Sequence, residues 1–375
     1  MPRPAYLDYN ATAPIRPAVI AAMAEAMATV GNPSSVHGFG RAARAQLESA
    51  REQVAELVGA RADQVVFTSG GTEANNLAVA GAGRPRVLAS AVEHDSVLKA
   101  GVVEAIPVRS DGIVDLGALD EILRHDGPPA LVSIMLANNE TGVVQPVGDA
   151  VRRAHAQGAL VHCDAVQATG KIAVDFASLG VDLMSLSAHK FGGPPGVGAL
   201  VVGDDVAVQA VQRGGGQERG RRAGTENLPA IVGFGVAAEA ARSDLQAAGK
   251  LAAWRDAMEA RISAVAPAAI VFGREAPRLP NTSCIALPGL SSELQVMALD
   301  LAGVAVSAGS ACSSGKLQPS HVLRAMGADP GTAASAIRVS LGWQTEADHI
   351  DRFIAAWGDL VARSRRRAGV ALTAA

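Results

Sequence analysis

The sequence predicts an α/β protein with a mainly parallel, doubly wound sheet in a large domain and a smaller α+β domain beside it. Three observations carry this. Short apolar runs alternate with longer Ala-rich stretches between about residues 60 and 205. The runs are rich in Val, Leu and Ile without strict alternation, as expected of strands covered on both faces. A long helical pattern then spans Leu228 to Val265, and after Pro277 the texture changes to shorter, mixed elements. With 375 residues the chain exceeds the usual size of one core. The large domain is placed at residues 15–255, and the smaller one at residues 1–14 together with 256–375.

Five segments read as buried strands: Gln64–Thr68, Arg86–Ala91, Ala130–Leu136, Ala159–Cys163 and Asp182–Ser187. Segments such as Val147–Gln157 read as the helices between them. In an open parallel sheet ligands bind at the carboxyl ends of the strands, so the residue types there matter most. The first run enters SGGTEANN, where Gly70 and Gly71 permit a tight turn and Thr72 opens a helix. Such a turn offers backbone N–H groups to a phosphate, and Thr72 adds a hydroxyl. The second leads to His94. The third leads to Asn138 and Asn139. The fourth ends in HCDAVQ, where Asp164 follows an apolar strand and needs a partner; a protonated pyridine nitrogen is one. The fifth ends in SLSAHK, which puts Lys190 in a partly dry cleft that lowers its pKa and makes it nucleophilic. Each alone has a plain structural reading: a helix cap, a packed histidine, a polar turn, an N-cap, a lysine reaching solvent. Five such features at five strand ends point to a site.

Composition narrows the class. Hydrophobic residues make up 49% and charged residues 18%, a globular balance, and with aromatics at 3% the core must come from Ala, Val, Leu and Ile. A net charge of −3, from 33 basic and 36 acidic residues, gives no basic footprint for nucleic acid. No apolar run approaches the ~20 residues that span a bilayer, and MPRPAYLDYNATAP lacks the apolar stretch of a signal peptide. Three cysteines, Cys163, Cys284 and Cys312, form no disulfide framework and suit a reducing compartment. A soluble cytoplasmic protein without membrane or nucleic-acid partners is expected. GFGVAA at Gly233–Ala238 falls inside a helical stretch rather than after a strand, so it is no dinucleotide fingerprint. No Cys/His spacing supports a zinc site.

The motifs YLDYNATAP, GNPSSVHGFG, SGGTEANN, VEHDSVL, NNETG, HCDAVQ, SAHKFGGPPGVG, RAGTEN, SAGSACSSG and RVSLG run along nearly the whole chain. Together they resemble the NifS/IscS-like cysteine desulfurases, within the class V aminotransferase family of fold type I pyridoxal-phosphate enzymes. SAHK with its upstream Asp marks the superfamily, and SAGSACSSG marks the desulfurases. The resemblance implies pyridoxal 5′-phosphate as cofactor and L-cysteine as substrate, with alanine released and sulfur left on Cys312 as a persulfide. It gives Lys190 the Schiff base with the cofactor and the Cα proton, and His94 ring stacking and transfer of the thiol proton. It sets Asp164 on the pyridine nitrogen, Gln167 on the ring hydroxyl, and Asn139 on the ring or the substrate carboxylate side. Gly71 and Thr72, with Ser187 and His189, fall to the phosphate. Thr225 would reach the phosphate of a partner subunit, which implies a homodimer, and Arg338 would clamp the substrate carboxylate. The acceptor would be a protein such as an iron–sulfur scaffold. Cys312 sits among Ser, Gly and Ala, a composition that reads as a loop suited to a sulfur carrier. Cys163 and Cys284 read as structural. Gly71 stands where the family often has Ala, and Arg221 and Arg222 add positive charge that either lines the mouth of the site or is solvated. An aminotransferase or selenocysteine lyase of the same family, or an idle scaffold, remains a competing reading; Cys312 argues against the aminotransferase, and Lys190 with Cys312 against the scaffold.

Overall fold

The computed structural model describes residues 4–125, 127–309 and 319–373, with side chains through residue 366. Its centre is a seven-stranded sheet. In spatial order the strands are Val65–Thr68, Gly198–Val202, Leu183–Ser187, Leu160–Asp164, Ala130–Ser133, Arg86–Ser90 and Val103–Ile106. All run parallel except Gly198–Val202, which pairs antiparallel with both neighbours. The five expected strands are all present, four of them shorter by one to three residues and the fourth in order, Leu160–Asp164, shifted by one residue at equal length. The strands Val65–Thr68, Ala130–Ser133, Leu183–Ser187 and Gly198–Val202 are buried along their whole length, which explains their unbroken apolar runs. Val103–Ile106 lies at the sheet edge, exposes Glu104 and Ala105, and was not legible as a strand.

The reversed strand follows from chain length. Only a short connection separates Ser187 from Gly198, and a parallel return needs a crossover of a dozen residues or more. Gly198 also lets this strand approach closely. A Cβ there would stand 2.6 Å from both the Leu186 carbonyl oxygen and the Gly70 carbonyl carbon.

Helices cover both faces. Gly38–Leu57 and Pro17–Ala28 pack against Leu228–Asp244, which opens with Asn227 accepting from Ala230 N–H and with Pro229 in its first turn. The long helical pattern is two helices, Leu228–Asp244 and Ala248–Val265, separated by the short turn Leu245–Ala247. A second hydrophobic cluster joins Ala5 and Leu7 from the N-terminal segment to Met258, Ile262, Ile285, Ile337, Phe353 and Trp357. Around it a four-stranded antiparallel sheet runs in the order Ser307–Ala308, Ala336–Ser340, Thr282–Ala286, Ile270–Phe272. No helix among the described residues is long and apolar enough to cross a membrane.

One polar group stitches the central strands. His162 is fully buried, its Nδ1 2.8 Å from Ser133 Oγ and its Nε2 2.9 Å from Ser185 Oγ. Burial pushes its pKa down to about 4. The unfolded chain, with a histidine near 6.5, therefore binds more protons between those values, and stability is lost as pH falls through the window. We expect roughly 3 kcal/mol of acid-induced destabilisation from this group. Urea midpoints for His162→Gln should fall less steeply between pH 7 and pH 4 than those of the parent; parallel slopes would refute the assignment.

Candidate active site

The carboxyl ends of the parallel strands open into a cavity of about 910 Å³. Gly71, Thr72, His94, Asn139, Asp164, Gln167, Ser187, His189, Lys190 and Arg338 all line it. Of the residues anticipated from sequence, Thr225 is exposed and lies outside this cavity, and Cys312 falls outside the described residues.

The floor is electrostatic. Asp164, 5% exposed at the end of its strand, accepts from Asn75 Nδ2 at 2.7 Å and from Val166 N–H at 2.9 Å. No cation lies within ion-pair reach of it among the described residues. Lys190 follows Ser187 in a single tight turn and donates to the carbonyls of Asn10 (2.8 Å) and Ala11 (2.9 Å). Burial, and then the Arg338 charge, push its pKa down to about 8, against the opposing pull of Asp164. A tenth or so of it is then neutral at pH 7, enough for a nucleophile or base.

At one end of the cavity the helix Gly71–Gly81 presents its N-terminus, with no side chain capping it. Ser187 lies against Gly71, and Thr72 and His189 line the same cavity, an arrangement suited to an anion. Burial and the neighbouring Lys190 and Lys171 push the His189 pKa down to about 4, so its ring is a neutral partner. A Cβ on Gly71 would meet Val166 Cγ2 at 2.8 Å, so the glycine is matched to Val166 in this chain.

At the other end Arg338 is 8% exposed. Its Nη2 donates to Asp8 Oδ1 at 2.8 Å and its Nη1 to the Asn139 carbonyl at 3.1 Å, while its buried Nε has no partner among the described residues. A guanidinium held this way, with N–H donors still to spare, can grip a carboxylate. Asn138 takes the plain turn role instead, its Oδ1 accepting from the N–H groups of Glu140 and Thr141. Arg221 and Arg222 do not line the cavity; Arg222 pairs with Glu73 at 2.9 Å.

Sequence reasoning missed the layer beneath these groups. Lys171 Nζ donates to Gln167 Oε1 (2.6 Å) and Asn10 Oδ1 (2.8 Å). A cation can face only the oxygen of an amide, so Lys171 turns the Gln167 NH₂ group the other way, where it donates to the Asn10 carbonyl at 2.9 Å and keeps one hydrogen free. Burial and the charges of Lys190 and Arg338 hold Lys171 well below the usual lysine range. Asn10 belongs to YLDYNATAP, a motif visible in the sequence; Lys171 reads there as an ordinary surface lysine. Cys163 and Cys284 are fully buried with thiols pushed up by burial, so neither is a reactive thiolate. No metal-binding cluster of His, Cys, Asp or Glu occurs among the described residues.

The flanks of residues 310–318 sit at this site. Ser307 and Ala308 line the cavity, and Ser320 donates to the Glu140 carboxylate, next to Asn139.

Residues 5–353 match the Aminotransferase class-V family. A cysteine desulfurase of Cereibacter sphaeroides is 47% identical over 93% of this chain and 93% of its own. Among solved structures, a NifS-like protein from Rickettsia africae superposes with a TM-score of 0.89 at 33% identity, covering 96% of this chain and 100% of that one. SspA, solved in complex with cysteine, gives 0.77 at 29% identity over 90% and 98%. A full-length sequence match, a shared fold and a lysine–carboxylate cavity at the strand ends coincide, and the chain belongs to the class-V aminotransferase family and, within it, to the cysteine desulfurases.

Proposed function

We propose that this desulfurase holds pyridoxal 5′-phosphate in the cavity, moves the sulfur of L-cysteine onto Cys312 as a persulfide, and releases L-alanine. The observation that carries the reading is the pairing in one cavity of Lys190, pushed down to about 8, with Asp164, a buried carboxylate with no cation in ion-pair reach among the described residues. The residues present fit the cofactor. Asp164 suits its ring nitrogen, the Gln167 NH₂ its ring oxygen, and the uncapped helix start with Thr72, Ser187 and His189 its phosphate.

When bound, the cofactor supplies the electron sink that lets the substrate lose its Cα proton. Lys190 would hold it covalently, and the same amine, lowered toward neutrality by burial, would serve as the base for that proton. Arg338, with Asn139 beside it, orients the substrate carboxylate. The Cys312 thiolate attacks the substrate sulfur: an S–S bond forms, the Cβ–S bond breaks, and its electron pair stays with the carbon, which is protonated to alanine. The balance is L-cysteine plus Cys312 thiol giving L-alanine plus Cys312 persulfide, with no external oxidant. Cys312 lies four residues past cavity-lining Ala308, a span of at most about 14 Å.

The solved complex of SspA with cysteine supports the substrate assignment. Exposed Thr225, outside its own chain's cavity, suits contact with the phosphate in a second copy, hence a homodimer. The persulfide would pass to an acceptor protein such as an iron–sulfur scaffold, in the cytoplasm.

With a dithiol reductant present, the parent protein should release alanine and sulfide from L-cysteine in equal amounts, and Cys312→Ala should release neither. Equal activity of the two proteins would remove Cys312 as the sulfur carrier.

A further inference from the structure

Beneath His94 lies a short chain of hydrogen bonds whose directions can all be assigned, starting from Asp164. Its carboxylate Oδ2 can only accept, so the atom of Asn75 2.7 Å away must be the amide nitrogen. Asn75 is 1% exposed, and the same nitrogen lies 2.8 Å from Ser96 Oγ, which therefore accepts as well. The Ser96 hydroxyl hydrogen is then left for its other neighbour, His94 Nδ1, at 2.7 Å. The Ser96 backbone N–H, which can only donate, points at the same Nδ1 from 3.1 Å. Two donors thus converge on Nδ1. The ring proton of the neutral imidazole has to sit on Nε2, which has no hydrogen-bond partner among the described residues, on a ring that lines the cavity.

We propose that Asn75 and Ser96 are positioning residues that lock His94 as its Nε2–H tautomer, so that His94 meets the substrate as a hydrogen-bond donor and not as a proton acceptor. A histidine in this state has no lone pair free toward the cavity. Its one basic nitrogen is already occupied from below. Proton uptake in the cavity then falls to Lys190. The same two residues tie Asp164, which would hold the ring nitrogen, to His94, so a change at either is felt at the other. The inference rests on the reading of this cavity as a pyridoxal-phosphate site.

The test is the ¹⁵N spectrum of the imidazole rings in the full-length, ¹⁵N-histidine-labelled protein, alone and loaded with pyridoxal phosphate. The chain has 8 histidines; His94→Gln identifies the signals of residue 94. The parent should show His94 Nδ1 unprotonated and Nε2 protonated. Ser96→Ala removes one of the two donors, and the ratio of the minor to the major tautomer should rise about fivefold, the worth of one ordinary hydrogen bond. Ser96→Thr keeps the hydroxyl and should restore the parent spectrum, and turnover of L-cysteine should fall in Ser96→Ala and return in Ser96→Thr. The remaining histidine signals report whether each variant is folded. A protonated Nδ1 in the parent, or a tautomer ratio unmoved by Ser96→Ala in a folded protein, overturns the proposal. The tautomer is read without turnover, so absence of desulfurase activity would sink the functional reading and leave the lock standing, and the reverse holds too.

Discussion

Lys190→Ala is expected to abolish alanine formation from L-cysteine, with a loss of at least roughly a thousandfold, because in the proposed function one side chain supplies both the covalent hold on the cofactor and the base for the substrate proton. The visible absorption of the bound cofactor should disappear from the variant after dialysis, while the parent keeps it. Lys190→Arg should not rescue, since a guanidinium never becomes neutral in a protein. The structure also sets a pH dependence. Burial and Arg338 hold the Lys190 ammonium near 8, so the neutral, attacking form grows about tenfold per pH unit below that value and levels off above it. Rates of cofactor attachment to the cofactor-free protein should follow that curve, with its bend near pH 8. A bend near the ordinary lysine value above 10 would mean that the cavity does not desolvate Lys190.

Asp164→Asn should be nearly as damaging, with turnover down on the order of 10²–10³ and cofactor held more weakly, because the proposed function loses the fixed negative charge that it assigns to the ring nitrogen. The substitution is close to isosteric, so the effect is electrostatic, not one of volume. It has a second consequence. An amide at 164 facing Asn75 sets two donors against each other unless one amide flips. Flipping Asn75 turns its oxygen toward Ser96 and draws the hydroxyl hydrogen away from His94. Asp164→Asn should therefore also mix the His94 tautomers, whereas Asp164→Glu, which retains an acceptor-only group, should retain more activity than the asparagine variant. Unaltered turnover in Asp164→Asn would show that the ring nitrogen needs no charged partner.

The site residues that the sequence makes legible share one feature. Asp164 and Lys190 each end an apolar run, and a charge there stands out because burial without a partner is costly. Thr72 and Gly71 stand out for a similar reason, since a glycine turn into a helix exposes backbone donors. Arg338 is legible only through its motif, because an arginine in AIRVS reads equally well as a surface ion pair. The strand Gly198–Val202, which is not among the five read from the sequence, shows the limit of pattern reading. GALVV has the same texture in either direction, and the signal that could have settled its polarity was the shortness of the link from Ser187.

The sequence by itself determined the fold class and the order of the chemistry along the chain, because strand burial and strand-end polarity are local properties written in residue type. Only the tertiary structure decided how those groups are tuned. Lys171 reaches Asn10 across 161 residues of chain, Arg338 reaches Asp8 across 330, and Asn75 reaches Asp164 across 89. The physical reason is that a hydrogen bond depends on where two atoms meet in space. A lysine that turns an amide, or an asparagine that fixes a histidine proton, looks in sequence like any other polar residue until the fold brings its partner within about 3 Å.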